Sequence, residues 1–232
     1  MKQLLIPILG IALLTATAAQ ADTSLQTEQD KLSYSMGVMT GKAFNTHGIN
    51  IDPKIFSMGL EDGISGKKLQ LSEAEIRDTL TNFQKQSMQK MQAELNKAAK
   101  KNQKASEAFF KSNKNKPGVK TTSSGLQYQI LQAGKGQSPT INDVVTVNYE
   151  GKLLNGKVFD SSYQRGTPAT FPVKGVIKGW QEALTMMNPG ATWELYVPPT
   201  LAYGKNGAPG IIGPNETLIF KVNLIAVKPS KQ

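Results

Sequence analysis

VTVNYEGKLLNGKVFDSS, residues 145–162, is the most informative stretch of this chain. Val145, Val147 and Tyr149 alternate with Thr146 and Asn148, the period of a strand with one buried face. Asn155-Gly156 then supplies two residues that tolerate the backbone angles of a tight hairpin, and Val158-Phe159 begins the return strand. The flanking sequence keeps this period. Leu126, Tyr128 and Ile130 alternate, as do Trp193, Leu195 and Val197, and Phe171 with Val173 suggests another short strand. Residues 217–227 form a long run apolar at both parities, as expected for a central strand. Trp180, Ala183, Leu184 and Met187 share one face of a short helix, which Asn188-Pro189-Gly190 stops. Five or six antiparallel strands around one helix make a small α+β domain.

Upstream the period changes to that of helices. Asp30 can cap a helix carrying Leu32, Met36, Met39 and Phe44, and Gly48 ends it. Asp52-Pro53 starts a second helix, because Asp accepts amide hydrogen bonds and Pro is pre-set for the first turn. Ile55, Phe56, Met58, Leu60 and Ile64 follow, and Gly66 closes it. Two helices of this size are too small to bury a core of their own, so a second copy of the chain is the expected partner. Gly37 and Gly41, four apart on one helical face, permit close backbone approach. The methionines Met36, Met39, Met58, Met88 and Met91 suit an irregular contact surface. Ser72 and Glu75 have capping-box spacing, and no Pro or Gly follows until Pro117-Gly118. That permits one helix of about 40 residues, roughly 60 Å long. Its lysine-rich second half is expected to cross solvent as a stalk, which leaves Phe109 and Phe110 without an account.

The first residues read as an export leader. Lys2 precedes an apolar run over residues 4–14, and Ala19-Gln20-Ala21 offers small residues at the cleavage positions. The run is well short of the roughly 20 residues that span a bilayer. The chain has no cysteine, so it has neither disulfides nor cysteine–zinc chemistry. Its single histidine, His47, sits in a turn-like stretch, so no metal, cofactor or nucleophile is expected. The formal charge of +10 invites a nucleic-acid reading. The lysines crowd one polar helix with no interleaved aromatics, however, so no nucleic acid is expected and peripheral contact with anionic surfaces is the sharper alternative to a solvated face.

Five motifs then fall in register: Val147-Asn148-Tyr149-Glu150-Gly151, Val158-Phe159-Asp160-Ser161-Ser162, Val176-Ile177-Lys178-Gly179-Trp180, Leu201-Ala202-Tyr203-Gly204 and Leu218-Ile219-Phe220. In order and spacing they resemble the FK506-binding-protein family of peptidyl-prolyl cis/trans isomerases. Lys31-Leu32-Ser33-Tyr34-Ser35-Met36-Gly37, Asn115-Lys116-Pro117-Gly118 and Ser124-Gly125-Leu126-Gln127-Tyr128 resemble the macrophage infectivity potentiator group of bacterial members. The resemblance implies an α+β fold in three parts. These are a helical N-terminal dimerisation domain, a long connecting helix, and a C-terminal antiparallel sheet wrapped around one short helix. The implied boundaries are a leader over 1–21, a dimerisation domain over 22–70, the connecting helix over 71–116, and linker plus isomerase domain over 117–232.

The same resemblance implies the site. Trp180 is the floor of an aromatic pocket, Tyr149, Phe159, Phe171 and Phe220 its walls with Val176 and Ile177, and Asp160 its edge. Tyr203, Ile211 and Ile212 belong to the mouth loop, in which Ala208 stands where some members carry histidine. Asp160, Tyr203, Phe159 and Trp180 are the implied catalytic residues. The Ile177 amide and the Tyr203 hydroxyl are the implied donors to ligand carbonyls. On the pattern alone these aromatics would read as core, and Asp160 before two serines as a turn acceptor. The implied partners are proline-containing polypeptides, FK506- and rapamycin-type macrolides as inhibitors, and a second copy of the chain. The implied location is the periplasm or outer surface of a Gram-negative bacterium. Two rival readings are a holdase chaperone and a host-surface binding protein in which turnover is secondary.

Overall fold

The computed structural model describes residues 25–230, so the leader over 1–21 lies outside the described residues. The chain divides into two compact units between Ile76 and Arg77.

In the first unit, α1 spans Glu28–Thr46 and α2 spans Pro53–Ser65. Thr27 caps α1, not Asp30. Asp30 stands three residues inside the cap, where its N–H donates to Thr27 Oγ1 at 3.0 Å and its carboxylate accepts from the Thr27 N–H at 2.9 Å. This reciprocal box satisfies two orphan amides, whereas Asp30 as cap would leave the Thr27 amide unserved. Asp52 caps α2 by accepting from the Lys54 N–H at 2.8 Å, with Pro53 in the first turn and Gly66 left-handed at the end. Phe44 meets Phe56 edge to face at 5.4 Å. Neither helix has a single buried residue; Met39 is 73 % exposed and Ile64 78 %.

Helix α3 spans Glu73–Asn113 and opens on the expected Ser72–Glu75 box, with Ser72 N–H donating to Glu75 Oε2 at 2.8 Å. Its second half is not a free stalk. In the second unit, Ala98, Ala99, Asn102, Ser106, Phe109, Phe110 and Asn113 are the residues withdrawn from solvent, three or four apart along one helical face. The Asn113 amide donates to Gln127 Oε1 at 3.0 Å, and Gln127 Nε2 donates to the Phe110 carbonyl at 3.1 Å. Thr217 Oγ1 donates to Ser106 Oγ at 2.8 Å, and Phe109 packs on Tyr196 with ring centres 5.7 Å apart. A polar helix can dock this way because these hydrogen bonds supplement the apolar cover of Phe109 and Phe110. That also accounts for Phe109 and Phe110.

The stretch expected as linker contains a strand. The strands are β1 (Val119–Thr121), β2 (Gln127–Gln132), β3 (Val144–Leu153), β4 (Val158–Ser161), β5 (Ala169–Pro172), β6 (Thr192–Val197) and β7 (Leu218–Lys228). Helix α4, Lys178–Met186, lies between β5 and β6 in the sequence. All pairs are antiparallel, in the order β1-β2-β6-β7-β3-β4, with β5 also on β3. The seven strands exceed the expected five or six because β1 and β5 are only 3 and 4 residues long, too short for a periodic signal. β3 alternates strictly, with Val145, Val147 and Tyr149 inward. β7 is central but one-faced: Leu218, Phe220, Val222 and Leu224 are buried, while Lys221 and Ile225 face out. The hairpin forms at Asn155-Gly156, where Gly156 has φ +84°.

Trp180, Ala183 and Leu184 of α4 join Val147, Leu195, Val197 and Phe220 in one core. A Cβ on Gly179 would sit 2.5 Å from Val197 Cγ1, so a glycine there is what lets the start of α4 approach β6. At the usual 25 cal/mol per Å², each fully buried side chain such as Leu184 or Leu195 contributes about 1.5–3 kcal/mol.

Candidate functional site

The site lies where β3, β4 and β7 meet the start of α4. Gly151 pairs with Asp160 on one side and Phe220 on the other. A Cβ at Gly151 would come within 2.7 Å of the Phe159 ring and 2.8 Å of the Phe220 ring. Its absence lets both rings close over the strand. Alternation puts Tyr149 and Phe220 on the inward face of their strands, and α4 brings Trp180 beneath them.

The result is a cavity of about 400 Å³ lined by Tyr149, Phe159, Asp160, Phe171, Gly175, Val176, Ile177, Trp180, Tyr203 and Phe220. Trp180 is 4 % exposed and meets Tyr149 and Phe220 edge to face at 5.2 Å and Phe171 at 6.2 Å. Phe159 and Phe220 cross at 90°. These T-shaped contacts lock the ring planes and leave an apolar, rigid slot. The Trp180 Nε1 is buried without a hydrogen-bond partner, so the floor holds a donor that no described residue engages. Ile177 is the N-cap of α4. Its carbonyl accepts from the Trp180 and Gln181 amides at 2.9 and 3.0 Å, while its own N–H has no partner among the described residues. Gln181 Nε2 donates to the Val176 carbonyl at 2.7 Å and pins the strand-to-helix turn.

The polar edge is a trio. Tyr149 Oη donates to one carboxylate oxygen of Asp160 and Arg165 Nη1 to the other. Arg165 Nη2 also donates to Tyr149 Oη at 2.9 Å, and the guanidinium stands 5.4 Å from the Tyr149 ring centre. Burial opposes the Asp160 charge, but the bonds from Tyr149 and Arg165 and the guanidinium charge outweigh it, so the carboxyl lies below its ordinary range. Burial, then the bond to Asp160, raises the Tyr149 phenol. Each carboxylate oxygen thus accepts one hydrogen bond, and the group stays ionised at the edge of the cavity.

Of the residues singled out from sequence, Ile211 and Ile212 are not brought to the cavity lining. Ile211 is exposed and Ile212 packs against the core, because the Ala208 N–H donates to the Ile212 carbonyl at 2.8 Å and folds that loop on itself. Arg165, Gln181 and Gly175 were missed. Arg165 lies five residues after Asp160 in a polar turn, where only an acid–base pairing rule could have picked it out. A larger concavity, about 790 Å³, is lined by Asn142, Asp143, Pro189 and other mostly polar residues with no aromatic wall.

Among known proteins, residues 135–225 match the family described as FKBP-type peptidyl-prolyl cis-trans isomerase. Residues 29–130 match the domain amino-terminal to such isomerases. The chain is 68 % identical to the peptidyl-prolyl cis-trans isomerase Mip of Coxiella burnetii, over 98 % of this chain and 99 % of that one. It is 51 % identical to the outer membrane protein MIP of Legionella longbeachae, over 98 % of each. The crystal structure of FkpA from Escherichia coli superposes with a TM-score of 0.68 at 39 % identity, covering 89 % of this chain and 99 % of that one. With its aromatic cavity, its helical N-terminal part and relatives that match it from end to end, the chain belongs to the FKBP-type peptidyl-prolyl cis-trans isomerases.

Proposed function

We propose that the aromatic cavity binds the proline of an X–Pro segment over Trp180 and speeds rotation about the preceding amide in exported polypeptides. Resonance keeps that amide planar behind a barrier of about 18–20 kcal/mol. Twisting removes conjugation and makes the amide less polar. A dry site walled by Tyr149, Phe159, Phe171 and Phe220 favours the twisted form over the planar one. The free Ile177 N–H is the donor that holds a substrate carbonyl as the bond turns, with Tyr203 at the mouth as the second. No bond to substrate is made or broken. Lowering the barrier by about 7 kcal/mol accelerates rotation roughly 10⁵-fold. The observation that carries this reading is the buried Trp180 ring, its Nε1 without a hydrogen-bond partner, beneath three edge-on aromatics. A protease-coupled assay on an X–Pro peptide tests it: the full chain should turn over the peptide and an FK506-type macrolide should block it. Turnover that the macrolide leaves untouched would place catalysis elsewhere.

A second copy of the chain is the proposed partner of the N-terminal unit, with dimer-based chaperone activity as its use. Support comes from the exposed apolar residues of α1 and α2 and from a groove of about 460 Å³ lined by Gly37, Gly41, Phe44, Ile51, Phe56 and Leu60 among others. The proposed location is the periplasm or outer surface. No helix among the described residues is long and apolar enough to cross a membrane. Peripheral contact with anionic surfaces fits α3. Lys90, Lys97, Lys101, Lys104 and Lys111 are exposed and fall, at 3.6 residues per turn, opposite the docked face of the helix. Lys97→Gln, Lys101→Gln and Lys104→Gln together should weaken sedimentation with phosphatidylglycerol vesicles roughly hundredfold, at about 1 kcal/mol per charge. Unchanged sedimentation would mark the lysines as a solvated face.

A further inference from the structure

The docked half of α3 touches residues 214–217, which follow the mouth loop. Asn102 Nδ2 donates to the Pro214 carbonyl at 2.9 Å and to Glu216 Oε1 at 3.0 Å. Between those two partners stands Asn215, the one non-glycine residue with positive φ, +55°, among the described residues. Such a backbone persists where its surroundings hold it. Asn215 is held from two sides: its N–H donates to the Gly204 carbonyl at 2.8 Å, and its Nδ2 donates to the Ala99 carbonyl at 3.4 Å. The next contact along, Thr217 to Ser106, is buried. Gly204 directly follows Tyr203, which lines the cavity. A short run of bonds therefore leads from α3, through residues 214–217, to the backbone that carries Tyr203.

Tyr203 depends on that backbone. Its ring makes no aromatic contact, its hydroxyl has no hydrogen-bond partner among the described residues, and it is 42 % exposed. No aromatic contact or hydrogen bond of the side chain fixes it. Nor is the seam between α3 and the loop tightly packed: a cavity of about 470 Å³ lies among Gln103, Ser106 and Phe110 of α3 and Pro199, Gly204 and Asn215 of the loop. Polar bonds, not apolar packing, transmit the position of the helix.

We propose that α3 is a working part of the catalytic unit, with Asn102 and Asn215 as positioning residues that hold Tyr203 at the mouth of the cavity. The proposal rests on the reading of Tyr203 as a ligand donor. The test is a double-mutant cycle in the full-length chain, read as macrolide affinity by calorimetry and as KM for an X–Pro peptide. Tyr203→Phe alone should weaken the macrolide about threefold to tenfold, the usual range for one neutral hydrogen bond. Asn102→Ala alone should weaken it by a similar factor and raise KM while sparing kcat. In the Tyr203→Phe background, Asn102→Ala should then cost less than about twofold, because coupled residues are not additive. If Tyr203→Phe has no effect, the reading of the site fails. If it weakens binding but the two losses simply multiply, the site stands and the brace fails. Asn215→Gly keeps the left-handed backbone and removes only the bond to Ala99, so the same cycle with it decides the matter should Asn102→Ala not fold.

Discussion

A fragment that begins at Thr121 keeps every residue of the aromatic cavity, yet it cuts through the end of β1 and discards the docked half of α3. Compared with a fragment that begins at Arg77, it loses the buried bonds from Ser106 to Thr217 and from Asn113 to Gln127. The Ser106 bond is worth about 1 kcal/mol net; the Asn113 bond brings less, because Asn113 Oδ1 is buried without a partner, and the lost bond from Gln127 to the Phe110 carbonyl makes up the difference. The contact of Phe109 with Tyr196 adds about 0.5–1.5 kcal/mol. The outer bonds of Asn102 and Asn215, open to water, add little. The expected deficit is about 3 kcal/mol, a large share of the 5–15 kcal/mol typical of a domain. At an unfolding entropy of about 2.1 cal/mol/K per residue, that lowers the melting temperature of a unit of this size by about 9–13 °C. Paired calorimetric scans of the two fragments measure it, and tetrapeptide turnover below both transitions checks that the cavity survives. Melting points within a few degrees of each other would refute the reasoning, since α3 would then be resting on the domain without supporting it.

The remaining expectations concern the edge trio and the N-terminal unit. Asp160→Leu should stay folded by circular dichroism and lose about tenfold in kcat/KM, the equivalent of roughly 1.4 kcal/mol of transition-state binding; an unfolded variant would make Asp160 structural. The Asp160 carboxyl is held below its ordinary range, so its bonds are complete above the ordinary aspartate value and are lost as pH falls through the lowered one. The Tyr149 phenol is raised and stays protonated. Turnover should therefore be flat from about pH 5 to 9 and fall only below the ordinary aspartate value of about 3.9; a midpoint near neutrality would point to another group. Gly37→Leu with Gly41→Leu should yield monomers by sedimentation equilibrium. A Cβ at either position meets nothing within 4 Å in the single chain, so Gly37→Ala with Gly41→Ala, which adds only that Cβ, tells a partner contact from a leucine clash inside the groove these glycines line. A parent protein that is itself monomeric would end the dimer proposal.

Much of this molecule could be read from local chemistry. Asp52-Pro53, Ser72 with Glu75 and Asn155-Gly156 act over two to four residues, and each forms the cap or turn expected of it. The alternation in β3 puts Tyr149 inward for the same reason. Most of what escaped depends on distant partners; the Thr27 cap is a local exception, a box only three residues wide. Thr27 outcompetes Asp30 as a cap only because the two side chains serve each other's amides. The docking of α3 rests on Asn102, Ser106 and Asn113, polar residues whose partners lie 14 to 114 positions away. A period count weighs apolar residues and so sees a solvated stalk. Arg165 joins the site through a turn, where no periodicity exists. The mouth loop holds Ile211 and Ile212 off the cavity by a backbone bond that side-chain identity does not encode.

The chain has two tryptophans, and they stand in different surroundings. Trp193 lies flat against Tyr128, with ring centres 4.4 Å apart and planes 7° from parallel, on a part of the sheet that does not line the cavity. Trp180 is the cavity floor, with its indole N–H unbonded. Indole emission follows the polarity and hydrogen bonding around that ring. A ligand that settles on Trp180 therefore changes the emission of one fluorophore, while Trp193 supplies a constant background. With a ligand seated on Trp180 as proposed, the protein would carry a built-in optical reporter of its own occupancy, and titrations could be followed without a label.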